Sequence, residues 1–244
     1  MTKLSVNLNK IALLRNSRGR DFPNVIEFAK NFIDLGVHGI TVHPRPDERH
    51  ITAKDAIDLA AALVTNPEIE FNVEGYPSED FLTLVENTKP DQCTLVPDSV
   101  DQLTSDHGWD FTKHGDFLKE IIARIKSAGI RAAVFLDPDL EQVTLASESG
   151  ADRIEFHTEA YASSFRTARH EAVFRQFKSA AAEAQTLGLG VNAGHDLDLE
   201  NLAKFLEIGG ILEVSIGHAL TVECIEQGMK IVIPQYLTIC NHWQ

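Results

Sequence analysis

Eight short, β-rich apolar runs recur along the chain, each followed by turn residues and then a stretch with helical period. No other feature restricts the fold as much. The runs are Leu4–Leu8, Gly39–Val42, Ile69–Val73, Gln92–Val96, Ala132–Leu136, Arg153–Phe156, Gly190–Asn192 and Glu213–Ile216. Strands that alternate with helices must run parallel, because the helix carries the chain back to the same end of the sheet. Eight such units in 244 residues fit a closed (β/α)8 barrel of the α/β class better than an open, doubly wound sheet. No proline- or serine-rich linker divides the chain, so one domain over residues 1–244 is expected.

Several helices announce their ends. Val25, Phe28, Ala29, Phe32 and Ile33 share one face, and the segment stops at Gly36. Ser78, followed by Asp80 and Phe81, opens another. Helices are also expected over Asp198–Ile208, closed by Gly209, and over about Thr167–Leu187, closed by Gly188. Pro234 should interrupt or kink a final helix. The connection from Pro97 to about Gly115 is long and patternless, which suits a lid or a surface excursion.

Composition narrows the function. With 43% hydrophobic and 24% charged residues the chain is an ordinary globular one. Its formal net charge of −14 would repel a phosphate backbone, so nucleic acid is not expected as a partner. Cys93, Cys224 and Cys240 form no disulfide framework and no CxxC pair. The N-terminus MTKLSVNLNK has no apolar signal core, and no apolar run reaches the ~18 residues of a membrane span. A cytoplasmic protein with no membrane partner is expected. Gly188–Ala193 fits a dinucleotide-binding GxGxxA pattern, but it lies before and within a strand, whereas the phosphate-binding turn must follow one.

In a barrel of this kind the strand C-termini and the loops after them carry the active site. Those positions here are rich in polar residues: Asn7, Asn9 and Lys10 after the first strand, and His43, Arg45, Arg49 and His50 after the second. Glu74 ends the third, Thr104 follows the fourth and Asp137 the fifth, and Glu155 and His157 close the sixth. Five of eleven arginines (Arg15, Arg18, Arg20, Arg45, Arg49) lie in the first two of these loops. In an acidic chain such a cluster suggests an anion site, the alternative being surface ion pairs. Strands seven and eight share Val-x-x-Gly-His, ending at His195 and His218, where barrels often bind phosphate through backbone N–H groups. Histidines and a glutamate on one mouth suit acid–base chemistry. Among apolar neighbours, Glu74 should hold its proton more tightly than usual; an arginine partner would reverse that. The same side chains (His43, Glu155, His157, His195, His218) are also candidate metal ligands.

The stretches VNLNKIALLRNSRG, GITVHPRPDERHI, FNVEGYP, KPDQCTLVP, IEFHT, VNAGHD and SIGHA together resemble the pyridoxine 5′-phosphate synthase family, in unbroken order from about residue 4 to 230. The resemblance implies a (β/α)8 barrel with extra helices, assembled as a homo-octamer. It implies a cofactor-free, metal-free, transferase-class ring closure in vitamin B6 biosynthesis. There, 1-deoxy-D-xylulose 5-phosphate condenses with 3-amino-2-oxopropyl phosphate to give pyridoxine 5′-phosphate, inorganic phosphate and water. Carried over by motif, His43 and Glu74 are the bases and His195 the acid. Arg45, His50 and Thr104, with Arg18 nearby, contact the pentulose phosphate; Asn7 touches the aminoketone; Gly217 and His218 cradle the phosphate kept in the product. The chain departs from the family pattern at Asn9-Lys10, where many members have Asp-His. It departs again at Asp196, where glycine is common, and in the segment around Pro234. Asn9 still offers hydrogen bonds to the pentulose, Lys10 could neutralise a phosphate or form a Schiff base, and Asp196 adds a negative charge beside the phosphate region. The competing readings are a non-catalytic barrel that binds a phosphorylated ligand and a metal-dependent barrel lyase or hydrolase.

Overall fold

The computed structural model describes residues 1–98 and 105–242. In chain order the elements are β1 (Lys3–Asn7), α1 (Asn9–Asn16), α2 (Val25–Asp34), β2 (Gly39–Val42), α3 (Ala53–Leu63), β3 (Glu70–Gly75), α4 (Glu79–Thr88) and β4 (Gln92–Leu95). Then follow α5 (Phe111–Ser127), β5 (Arg131–Leu136), α6 (Leu140–Glu148), β6 (Arg153–Phe156), α7 (Glu159–Ser164), α8 (His170–Thr186) and β7 (Gly190–Gly194). The last four are α9 (Leu202–Leu206), β8 (Ile211–Ile216), α10 (His218–Gln227) and α11 (Met229–His242). The eight strands pair in sequence order, all parallel, and β8 closes on β1. This is a (β/α)8 barrel, with second helices after β1, β6 and β8 beyond the basic eight units.

Local chemistry explains the helix ends. Asn24, Ser78 and Asp139 accept first-turn N–H groups of α2, α4 and α6, and Thr52 forms a capping box with Asp55 at α3. Gly36, Gly188 and Gly209 sit past helix ends with φ of 95°, 82° and 83°, so the three expected stop signals hold. Gly188 therefore serves α8, and the GxGxxA pattern has no phosphate turn.

Four boundaries differ from expectation. The helix foreseen from Asp198 shrinks to α9, because the Asp198 carboxylate accepts the N–H groups of Glu200 and Asn201 and holds a turn there. The segment foreseen from Thr167 begins at His170, after the separate α7. Helix α11 runs through Pro234 unbroken. The connection after β4 ends at Phe111, since Asp110 caps α5 and Gly115 lies inside that helix. Its second half is packed, not loose: Trp109 is buried, its indole N–H donates to Leu95 O at 3.0 Å, and its backbone N–H donates to Phe135 O. Residues 99–104, where a lid would lie, are outside the described residues.

Strand alternation puts the apolar residues outward, beneath the helices, and the polar ones inside the barrel. Leu4, Val6, Ile40, Val42, Val73, Leu95, Val134, Ile154 and Val214 are buried in the shell. Inside, Ser5 and Thr41 hydroxyls meet at 2.8 Å, Thr94 Oγ1 donates to Asn72 Oδ1 at 3.0 Å, and Arg153 donates to Asn192 Oδ1 at 3.2 Å. At the strand N-termini Glu70 binds Lys3, Arg131 and Arg153, with Arg153 also near Glu213. Buried polar groups persist only when paired, and this interior mostly pairs its own. The polar column reaches the strand C-termini, where the candidate site opens.

Candidate active site

At that end a cavity of about 560 Å3 is lined by residues from every strand or its following loop. Strand β1 supplies Asn7, and the first turn of α1 supplies Asn9 and Lys10. Asn7 Oδ1 accepts the Asn9 N–H, and Asn9 Oδ1 accepts the His43 N–H, both at 2.9 Å. The Asn9 side chain thus ties α1 to the end of β2 through an oxygen that an aspartate would also present.

The β2 loop brings His43, Arg45, Arg49 and His50 to the cavity. The His43 and His50 rings lie 6.2 Å apart. Burial, then the charges of His50 and Arg45, pushes the His43 imidazole down to about 3; burial, then Arg45, pushes His50 down to about 4. Both are neutral at physiological pH. The Arg45 guanidinium meets Asp98 at 2.6 Å in a buried ion pair, and Ser105 donates to the same carboxylate at 2.8 Å. Arg49 pairs with Asp47.

Glu74 ends β3. Asn7 Nδ2 donates to its Oε2 at 3.4 Å and Asn72 Nδ2 to its Oε1 at 3.5 Å. Burial, followed by the carboxyls Glu155, Asp98 and Glu213, raises Glu74 well above the ordinary carboxylate range. The arginine-paired alternative fails here: burial and the neighbouring carboxyls favour the protonated form of Glu74. Across the barrel Glu155 is pushed up to about 7, mainly by burial. His195 follows β7, where burial lowers its imidazole against the opposing charge of Asp196. Its ring stands edge-on to His157 at 5.1 Å and to Phe135 at 6.2 Å. Asp196 has φ of 64°, a conformation glycine takes freely and that aspartate visits more readily than most other residues. Gly194 has no such freedom to lose: a Cβ there would meet Ser215 O at 2.7 Å. Beyond β8, Gly217 precedes the first turn of α10 and opens that helix N-terminus on the cavity beside His218.

Most of the residues foreseen from sequence therefore converge: Asn7, Asn9, Lys10, His43, Arg45, His50, Glu74, His195, Asp196, Gly217 and His218. Two do not. Arg18 is exposed and does not line the cavity, because α1 turns the following segment outward. Thr104 lies outside the described residues. The arginine cluster also divides: Arg15 forms an ion pair with Asp55 at 2.5 Å, and Arg20 is exposed, so only Arg45 and Arg49 reach the cavity. Glu155, weighed from sequence only as a metal ligand, and Asp98, not weighed at all, belong to the site. Ser105, Phe135 and Ser215 complete its lining. Among the described residues, no three of histidine, cysteine, aspartate and glutamate are grouped to hold a metal ion.

The comparisons agree along the whole chain. The family described as "Pyridoxal phosphate biosynthesis protein PdxJ" matches residues 4–242. A protein of Christiangramia forsetii named pyridoxine 5′-phosphate synthase is 52% identical over 240 residues, 98% of this chain and 99% of its own. Its namesake from Agrobacterium fabrum is 48% identical, covering 98% and 97%. Among solved structures, phosphoribosyl anthranilate isomerase from Thermotoga maritima superposes with a TM-score of 0.61 at 12% identity, over 99% of this chain and 100% of its own. That likeness concerns the barrel alone. The chain belongs to the PdxJ family of pyridoxal phosphate biosynthesis proteins.

Proposed function

We propose that the chain is a pyridoxine 5′-phosphate synthase, joining 1-deoxy-D-xylulose 5-phosphate and 3-amino-2-oxopropyl phosphate by acid–base chemistry. The observation that carries this reading is one cavity in which neutral imidazoles (His43, His50) face two carboxyls that burial biases towards their protonated forms (Glu74, Glu155). Imine formation, enolisation and dehydration each need a proton moved, and groups poised near the working pH move them fastest.

The roles follow from these protonation states. His43, buried and neutral, is a base from the outset. Glu74 is the second base, and burial beside other carboxyls makes it hold the proton it takes up more tightly than an ordinary carboxylate would. His195 starts neutral, and the dianionic phosphate of a bound substrate raises its imidazole towards the charged form an acid needs. Arg45, fixed by Asp98, and His50 contact the pentulose phosphate, with Thr104. Asn7, whose amide also reaches Glu74, touches the aminoketone. The N-terminus of α10, with Gly217 and His218, cradles the phosphate kept in the product. Asn9 and Asp196 border the substrates, and Lys10 adds a positive charge at the mouth. Arg18, exposed on one protomer, has no place in that protomer's cavity.

The reading also makes the protein a cytoplasmic homo-octamer, which light scattering on the purified protein checks. Among the described residues no helix is long and apolar enough to cross a membrane. The function is tested by incubating EDTA-treated protein with both substrates and following pyridoxine 5′-phosphate and inorganic phosphate together. Equal amounts of the two are expected. A folded protein that forms neither would leave only a ligand-binding barrel, and product that requires an added transition metal would favour the metal-dependent reading.

A further inference from the structure

His195 and Asp196 are consecutive residues with left-handed backbone, φ 55° and 64°. A residue with a Cβ takes that conformation at a cost, and two in succession persist only where the surroundings over-determine them. Both carbonyls of this turn are held by side chains from elsewhere. The Thr158 hydroxyl, at the end of β6 and fully buried, donates to His195 O at 2.6 Å. Asn201 Nδ2 donates to Asp196 O at 3.1 Å. Asn201 is buried and pinned in turn: its Oδ1 accepts the Asp198 N–H at 3.0 Å, its N–H donates to Asp198 Oδ1 at 2.8 Å, and its carbonyl accepts the Tyr161 hydroxyl at 2.8 Å. Neither Thr158 nor Asn201 lines the cavity.

We propose that Thr158 and Asn201 are positioning residues for His195, holding the 195–196 turn in the left-handed form that aims the imidazole into the cavity. The inference rests on the reading of His195 as the acid. Without the Thr158 hydroxyl the half-buried His195 carbonyl loses its donor, the turn relaxes towards negative φ, and the ring leaves its place against His157 and Phe135. The strain makes the clamp separable from ordinary packing. Glycine at 196 removes the cost of φ near 64°, so it restores the turn even when one clamp is gone.

The test compares Thr158→Val, Thr158→Ser, Asn201→Leu and the double variant Thr158→Val/Asp196→Gly, each checked for fold by circular dichroism. Misplacing a catalytic group by an ångström costs on the order of a hundredfold. Thr158→Val and Asn201→Leu should therefore lose about ten- to a hundredfold in kcat with KM for both substrates little changed. Thr158→Ser should stay near wild type, and the double variant should recover part of the loss. A second readout needs no turnover, namely the NMR titration of the His195 ring. Asp196, His157, Asp98 and Lys10 are the charged or titratable groups acting on it, and burial holds it below the ordinary imidazole range. Its midpoint should rise towards the ordinary value in Thr158→Val and stay low in Thr158→Ser. Wild-type kcat and titration in Thr158→Val would overturn the proposal, as would equal losses in the Val and Ser variants. If His195→Ala itself turned over normally, the acid reading would fall, and an unchanged His195 titration in Thr158→Val would separately overturn the clamp.

Discussion

Replacing Glu155 by glutamine removes from the barrel mouth a carboxyl that folding forces to keep its proton. Burial lifts it from 4.5 to about 7. The folded state therefore binds this proton more tightly than the unfolded chain does, and stability falls as pH rises between those values. The contribution is complete below about pH 4.5 and lost by about pH 7. At 1.36 kcal/mol for each pKa unit the loss is about 3 kcal/mol. Glutamine keeps the shape and cannot ionise, so the variant should lose about 3 kcal/mol less than wild type between pH 4.5 and pH 8. Urea unfolding at those two values, followed by far-ultraviolet circular dichroism, measures the difference. Glu74 and Glu213, both raised, leave a residual decline in either protein. The same pH loss in wild type and variant would refute the account of the site as a pair of proton-holding carboxyls.

Other outcomes follow from particular contacts. Arg45→Ala strands the buried Asp98 carboxylate and should cost about 3–5 kcal/mol in stability as well as weakening substrate binding; Arg45→Ala/Asp98→Ala should recover part of that stability in thermal melts. Gly194→Ala drives a Cβ to 2.7 Å from the Ser215 backbone and should lower Tm sharply, whereas Gly115→Ala, in an open helical position, should raise stability by roughly 0.5–1 kcal/mol. Lys10, which lines the cavity and has no ion pair among the described residues, should matter through its charge. Lys10→Met should weaken inhibition by inorganic phosphate by about tenfold and Lys10→Arg should not, a contrast a Schiff-base lysine would reverse in turnover.

The barrel was legible because its punctuation is chemical. Gly36, Gly188 and Gly209 end helices where a left-handed residue is needed, and Ser78 caps α4 through its hydroxyl. β2 and β6 coincide with the apolar runs read from sequence. α9 was overestimated because Asp198 and Asn201 compete with the helix through their own backbone bonds, a choice that helical periodicity does not record. The long connection after β4 was read as loose because nothing in a linear pattern says that Trp109 reaches Leu95.

In the site, histidines and glutamates at strand ends were easy to find, whereas their partners were not. Asp98 and Arg45 are 53 residues apart, and only the closed barrel brings them together. Glu155 did leave a trace. In β6, Arg153 and Glu155 alternate with buried Ile154 and Phe156, as Glu70, Asn72 and Glu74 alternate with Phe71 and Val73 in β3. That period of two marks polar side chains facing the barrel interior, and it points to Glu155 as an interior group. Arg18 lies exposed and outside this chain's cavity, because position in a loop says nothing of direction.

The central claim is that this cavity closes the pyridoxine ring with Glu74 and His195 moving the protons. Its most direct test is the turnover of Glu74→Gln and His195→Ala beside wild type, with product and inorganic phosphate measured together and thermal melts run on the same samples. Wild type should release one phosphate for each pyridoxine 5′-phosphate, and each variant should fall by about a hundredfold or more with its melting temperature preserved. Wild-type turnover in both folded variants would contradict the assignment of the acid–base groups.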